Sequence, residues 1–444
     1  MTATQEKGMA ERSMGFGLRA LNRLAGSELL DRVHLRKQVE RMVFRGTRDG
    51  FRSAAAASRA FKATHKLTGP ARQKTGKPRE LFDVTPDDEQ QMLQEGARDF
   101  AAERIRPAAL DADTACETPA ELLAQINELG VNMLGVPEEL GGVMHEQAAV
   151  TSVLIGEALA HGDMGIAYAA LAPGAVATAI GLWGDADQQA AYLPPFTGEE
   201  TPAAALAILE PRPLFDPRKL ETKARRDGSD WVIDGVKSLV ARAAQCELFV
   251  VAAEAEGIGP ALFAIESSVK GLAIEPEPAM GLRPAATGRL VLEGARLPAA
   301  ALMAEGEPQA FAECVSRARI AWSALAVGAS QAVLDYVIPY VNERVAFGEP
   351  ISNRQAVAFA VSDIGIETDG MRLAVYRAAS RADQGRDFAR EAALARRLCA
   401  AKGMKIGSDG VQLLGGHGYV KEHPVERWYR DLRAAGVMEG ALLV

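Results

Sequence analysis

Few side chains in this sequence combine a reactive type with a telling position. Near the C-terminus, Gly436-Val437-Met438-Glu439-Gly440 sets one carboxylate against a glycine. Such a carboxylate is a base where the fold buries it and a solvated charge where it does not. The glycine permits close approach of another chain segment. Arg319 and Arg344 fall on one long helical segment, and a guanidinium is suited to paired hydrogen bonds with phosphate. Equally, they could make a bundle salt bridge and a surface charge at a helix end. Gly415-Gly416-His417-Gly418, read alone, is a helix stop with His417 as a loop residue. Cys116, Cys246, Cys314 and Cys399 lie far apart and form no CxxC pair. That spacing excludes a zinc site or redox couple, so no metal is expected, and reduced thiols point to a cytoplasmic protein.

The elements that must position these groups are legible from period and punctuation. At 444 residues, 48% hydrophobic and 24% charged, the chain has ordinary globular composition, which excludes long-range disorder and implies two or three domains. No continuous apolar run of membrane-spanning length is apparent. Aromatics at 6% argue against a base-stacking nucleic-acid surface. Residues 84–200 read as helices, beginning at a Thr85 cap with Pro86 in the first turn. Residues 201–300 change to short apolar segments parted by Gly, Asp and Pro. They predict a small antiparallel sheet or barrel with turns at Asp227-Gly228 and Asp234-Gly235. Long helices return over 311–345, with Pro339 expected to kink the first, then 355–383 and 388–414.

Charge divides the chain. Residues 1–80 hold 18 basic and 7 acidic side chains, while the whole carries −8. From Met14 to Lys66, leucines at helical spacing alternate with arginines, and residues 67–80 read as a linker. A basic amphipathic leader packs on its own acidic body or on a second subunit, or lies on an anionic membrane face.

Six stretches in order resemble the acyl-CoA dehydrogenase family: ELGVNMLGVPEELGG (128–142), GDADQQAAYLPPFTGEE (184–200), DWVIDGVK (230–237), AMGLRPAATGRLVLEGARLPAAALM (279–303), ERVAFGEPISNRQAVAFAVSDI (343–364) and VQLLGGHGYVKEHPVERWYRDLRAAGVMEG (411–440). The resemblance implies an α+β fold, mainly α. A helical N-terminal domain at 81–200, an antiparallel β domain at 201–305 and a C-terminal four-helix bundle at 306–444 would follow the leader at 1–80. It implies α,β-dehydrogenation of an acyl-CoA with FAD as hydride acceptor. Glu439 becomes the α-proton base, with Arg319 and Gly440 near the thioester. Arg344, Phe347, Gln355, Gln412, Gly415 and Gly416 become cofactor contacts, Arg344 acting across a subunit boundary. A homodimer or homotetramer and reoxidation by an electron-transferring flavoprotein follow by the same analogy.

The pattern also departs from the family. Its flavin loop resembles Thr-Glu-Pro-Gly-x-Gly-Ser-Asp, but here Leu209-Glu210-Pro211-Arg212-Pro213-Leu214-Phe215-Asp216 lacks the hydroxyls and both glycines. A Trp-Ile-Thr motif is replaced by Leu239-Val240-Ala241. Leu209 and Ala241 thus stand at expected cofactor positions with hydroxyls lost, each worth about 0.5–1.5 kcal/mol. This loss motivates an alternative reading as a flavin-poor, non-catalytic or half-site partner subunit.

Overall fold

The computed structural model describes residues 85–143, 148–198 and 200–442. The leader and linker expected at 1–80, and any membrane contact through 14–66, lie outside them.

Three of the helices start where an aspartate side chain closes the free N–H groups. Helix α1 (Asp88–Phe100) is capped by Asp87, which accepts from Gln90 N–H at 2.9 Å while Gln90 returns to Asp87 N–H at 3.1 Å. This reciprocal box places the start after Pro86, correcting the Thr85 cap. A π-turn (Ala101–Ile105) leads into α2 (Arg106–Ala115), followed by α3 (Ala120–Asn127) and α4 (Ala148–Gly162). Asp163 caps α5 (Met164–Trp183), whose apolar residues face the core nearly all round, and α6 (Ala186–Tyr192) follows. In the C-terminal region come α7 (Pro308–Glu343), α8 (Gln355–Asp383), α9 (Ala389–Leu414) and the short α10 (Val425–Leu432). Pro339 sits one turn from the end of α7, and the helix runs through it. Windows of α5 and α7 reach mean hydropathies of 1.6 and 1.3, so both are apolar enough to span a membrane, contrary to expectation; 61% of each window is buried inside the fold. Their apolar surface is spent on the core.

Between the helical regions lie β1 (Ala204–Ala207), β2 (Lys223–Asp227), β3 (Asp230–Val240), β4 (Leu248–Ala255), β5 (Gly259–Glu266), β6 (Leu272–Pro276) and β7 (Gly288–Leu297). The sheet is mixed rather than wholly antiparallel. β1 and the start of β2 lie end to end along one edge of β4, both parallel to it, while β5 runs antiparallel along the other edge. The chain between β1 and β2 (208–222) is thereby pushed out of the sheet and returned to the same edge. That excursion carries the altered Leu209–Asp216 loop. Asp227-Gly228 opens a tight hairpin, with Asp227 paired to Asp230. Asp234-Gly235 is no turn: it is a bulge inside β3, where Thr222 Cα lies 2.6 Å from where a Cβ on Gly235 would stand. One apolar core joins the helices to the sheet, and a second, holding Trp231, Phe249 and Phe263, belongs to the sheet itself.

Candidate active site

The arginine-rich run before Glu439 anchors the C-terminus. Arg430 forks onto buried Asp113 at 2.8 and 3.0 Å, and Arg427 reaches buried Asp163 at 2.9 Å. Asp431 accepts Leu282 N–H at 2.6 Å, and Trp428 is fully buried. Helix α10 is thus tied to α2, to the cap of α5 and to the sheet domain. The chain leaves it through a turn at Arg433–Gly436 and enters the core at Met438.

Two guanidinium groups then fix the backbone of residues 438–440. Arg396 of α9 donates to Met438 O at 2.7 Å and also to Gly440 O. Arg319 of α7 donates to Glu439 O through Nε at 3.2 Å and Nη2 at 3.0 Å. Glu439 itself sits at φ 57°, a conformation few non-glycine residues hold. Gly440, at φ 110°, has Pro217 Cδ 2.8 Å from where a Cβ would stand, and Ala441 N–H donates to Phe215 O at 2.8 Å. The excursion of the sheet domain therefore presses directly on the residues after the carboxylate.

The Glu439 side chain is only 6% exposed. Trp322 Nε1–H donates to its Oε1 over a long 3.4 Å, and its buried Oε2 has no hydrogen-bond partner among the described residues. Burial raises its proton affinity above the ordinary carboxylate range, against the pull of Arg396, the Trp322 hydrogen bond, Arg319 and Lys237. Tyr168 packs on Trp322 with ring centroids 4.5 Å apart and donates to Leu239 O at 3.0 Å. Its phenol is pushed upward by burial and by Glu439. Nearby, fully buried Lys237 pairs with Glu210 at 3.0 Å. Burial lowers that ammonium to about 8 against the opposing effect of Glu210. Burial also pushes Glu210 up, but Lys237 and the N–H groups of Thr222 and Glu221 outweigh it and hold the carboxyl low.

Of the residues singled out from sequence, Glu439, Gly440, Arg319, Leu209 and Ala241 lie on this buried side. Leu209 and Ala241 are both buried, and Leu209 O accepts Ser238 N–H at 2.9 Å. The others lie elsewhere. Arg344, Phe347, Gln355, Gln412, Gly415 and Gly416 are all exposed. They gather toward the opposite end of α7, where Tyr340 hydroxyl meets His417 Nδ1 at 2.9 Å and Leu414 O at 3.4 Å. From Trp322 to Tyr340 is 18 helical residues, about 27 Å at 1.5 Å per residue. Sequence reading missed Trp322, Tyr168, Arg396 and the Glu210–Lys237 pair. Trp322 had a signal: it stands three residues after Arg319, on the same helix face. Tyr168 and Arg396 had none, because only packing brings them to Glu439.

Three models of acyl-CoA dehydrogenase domains match the chain: the N-terminal domain at residues 87–200, the middle domain at 205–295 and the C-terminal domain at 309–442. The Bacillus subtilis protein named probable acyl-CoA dehydrogenase YngJ is 33% identical over 370 residues, covering 81% of this chain and 96% of its own. The bovine mitochondrial short-chain specific acyl-CoA dehydrogenase is 31% identical over 366 residues, covering 79% and 86%. Butyryl-CoA dehydrogenase from Megasphaera elsdenii superposes with a TM-score of 0.74 at 26% identity, over 83% of this chain and 97% of that one. The chain belongs to the acyl-CoA dehydrogenase family. It is a flavin-dependent oxidoreductase, with FAD the cofactor of the family.

The residues present fit FAD, more fully at one end than the other. On the exposed side Arg344 makes no ion pair or side-chain hydrogen bond among the described residues. Nothing lies within 4 Å of where a Cβ would stand on Gly415 or Gly416. A free guanidinium, two amides and open glycine backbone suit a diphosphate. On the buried side Glu439 Oε2 has no hydrogen-bond partner among the described residues. Yet Ser238 Oγ and Leu239 N–H both go to Glu277, at 2.9 and 2.7 Å. Pro211 and Pro213 offer no N–H at all. Fewer donors therefore remain for the flavin ring than in the family pattern.

Proposed function

We propose that the protein introduces an α,β double bond into an acyl-CoA thioester, with Glu439 as the base that removes the α-proton. The observation that carries this is a buried carboxylate with one oxygen held and the other unpartnered. Burial keeps its proton affinity high enough to make it an effective base, while Arg396, Trp322 and Arg319 keep it ionisable. The carbonyls of 438–440 are all turned onto Arg396 and Arg319. The N–H groups of Glu439 and Gly440 make no hydrogen bond among the described residues, leaving them to polarise the thioester carbonyl as charge develops on it. FAD would supply the hydride acceptor, and Arg344, Gln355, Gln412, the Gly415-Gly416 backbone, Leu209 and Ala241 are the residues that would hold it.

A buried base and an exposed cofactor grip about 27 Å apart along one helix suit a homodimer or homotetramer in which one subunit completes the other's cofactor site. Exposed Phe359, Ile366 and Leu373, spaced by seven along α8, supply an apolar face for that contact. An electron-transferring flavoprotein is the expected reoxidant, and domains at 81–200, 201–305 and 306–444 the expected division. The retained, buried base argues against a non-catalytic partner subunit. Anaerobic titration of the flavin-loaded protein with acyl-CoA tests the reading. Bleaching of the visible flavin band is expected, and an unchanged spectrum across acyl-CoAs would overturn it.

A further inference from the structure

We infer that Trp322, braced by Tyr168, is the specificity-determining residue of this site and restricts it to compact, butyryl-sized acyl groups. The inference rests on the dehydrogenase reading and deepens it. An acyl group must bring its α-carbon to Glu439 Oε2, and its tail must leave from there. The exits are few. The backbone side of the carboxylate is closed by Arg319 and Arg396. The Oε1 side is closed by the Trp322 indole, itself 4% exposed. Tyr168 lies against that indole at 4.5 Å and is tethered to Leu239 O, so the ring pair spans from the base to the Leu239–Ala241 wall. The seam of α4 with α5 and α7, the helices that carry Tyr168 and Trp322, is closely packed. Leu171, Ala324 and Leu325 all stand 3.8–3.9 Å from where a Cβ on Gly156 would be, which is ordinary packing distance. Close-packed side chains of this kind do not yield room for an added run of methylenes.

The same indole has a second consequence. By donating to Oε1, it stabilises the ionised carboxylate and leaves Oε2 as the oxygen that takes the proton. Size and hydrogen bond are separable by substitution. Trp322→Phe keeps most of the bulk and removes the N–H. Trp322→Val removes both.

Flavin bleaching is measured by stopped flow with butyryl-, octanoyl- and palmitoyl-CoA for the flavin-loaded wild type and both variants. Wild type should lose at least about tenfold in rate from butyryl to octanoyl, the scale on which a pocket rejects added methylenes. Trp322→Val should erase most of that ratio by accelerating octanoyl-CoA. Trp322→Phe should keep the chain-length order and move the acid limb of the pH–rate profile to higher pH. Equal wild-type rates from butyryl to palmitoyl would overturn the inference while leaving the dehydrogenase reading intact. So would a Val variant that binds flavin and keeps the wild-type ratio. A Phe variant with the wild-type pH profile would remove the base-orienting role. Bleaching by none of the three acyl-CoAs would count against the dehydrogenase reading itself, and the inference would fall with it.

Discussion

The two ends of α7 are built on opposite principles. At Arg319 and Trp322 the helix faces packed interior. Its carboxylate is buried, its backbone is clamped by two arginines, and a buried Lys237–Glu210 pair stands close by. At Tyr340 and Arg344 the helix ends in a hairpin whose tip, Phe347, is 96% exposed at φ 57° and is followed by Gly348 at φ 87°. The first end is finished within one chain. The second presents an aromatic ring, a guanidinium and bare glycine backbone to whatever comes next. A buried charge is stable only with its partners in place, so the chemistry-bearing end has to be complete on folding. At the second end the residues proposed to grip the cofactor are exposed, and under the proposed function they meet cofactor and neighbour after the chain has folded. Substitutions at the closed end should therefore disturb chemistry or folding, and those at the open end retention and assembly.

The sharpest test at the closed end is Glu439→Gln. The amide keeps size and polarity, and the arginine clamps act on backbone carbonyls that the change leaves alone. Flavin reduction by acyl-CoA should fall by about 10³-fold, the range for loss of a general base, with flavin content and melting temperature close to wild type. Near-normal reduction in rapid-mixing absorbance would remove Glu439 from the reaction.

Lys237→Met should act on folding instead. It leaves buried Glu210 with Arg212 at 3.5 Å and the N–H groups of Glu221 and Thr222 but without its closest cation, and breaking one partner of a buried pair costs about 3–5 kcal/mol. Lys237→Met with Glu210→Gln should recover much of that loss, because the buried carboxylate charge is removed as well while Arg212 keeps Glu221. Urea denaturation of both proteins checks this. A single substitution that unfolds at the wild-type midpoint would show that the pair holds nothing in place.

The contrast between the two ends also governs what the sequence discloses. Local register is what singled out the residues proposed for the site: Glu439 by its place after the arginine-rich run, Arg344 and the Gly415-Gly416 pair by the hairpin and glycine stretches. Helix and strand regions were legible because their periods differ and Gly, Pro and Asp punctuate them. What escaped was contact between distant segments. Tyr168 meets Trp322 across 154 positions and Arg396 meets Gly440 across 44, and no local pattern encodes either. Asp234-Gly235 misled because a dipeptide that favours a turn also suits a bulge, and Thr222 against the glycine decides between them. Parallel pairing of β1 and β2 with β4 was equally invisible, since it depends on where the 208–222 excursion returns.

At the open end, Arg344→Ala should leave the chain as stable as before, since its guanidinium has no protein partner among the described residues. Flavin should dissociate faster, by about tenfold or more, because charge-assisted hydrogen bonds are worth about 1.5–3 kcal/mol each. Arg344→Lys should fall between the two, keeping charge without the fork. Flavin release followed by fluorescence measures this. An unchanged off-rate in the Ala variant would take Arg344 out of the grip.

The smallest effect on the chain itself is expected at Phe347. Among the described residues Arg354 lies over its ring, 5.6 Å from guanidinium carbon to ring centroid, and the residue is 96% exposed. Phe347→Ser should therefore change the stability of the dissociated chain by no more than about 0.5 kcal/mol, as for other surface substitutions. If a second copy covers the ring, the same change should loosen the assembly, because an aromatic side chain buries a large apolar area. Sedimentation velocity across a dilution series reads that difference. A shift toward smaller species at equal concentration would place the hairpin in the subunit contact. Identical profiles for both proteins would leave the ring serving the cofactor alone, and flavin retention would then be the property that changes.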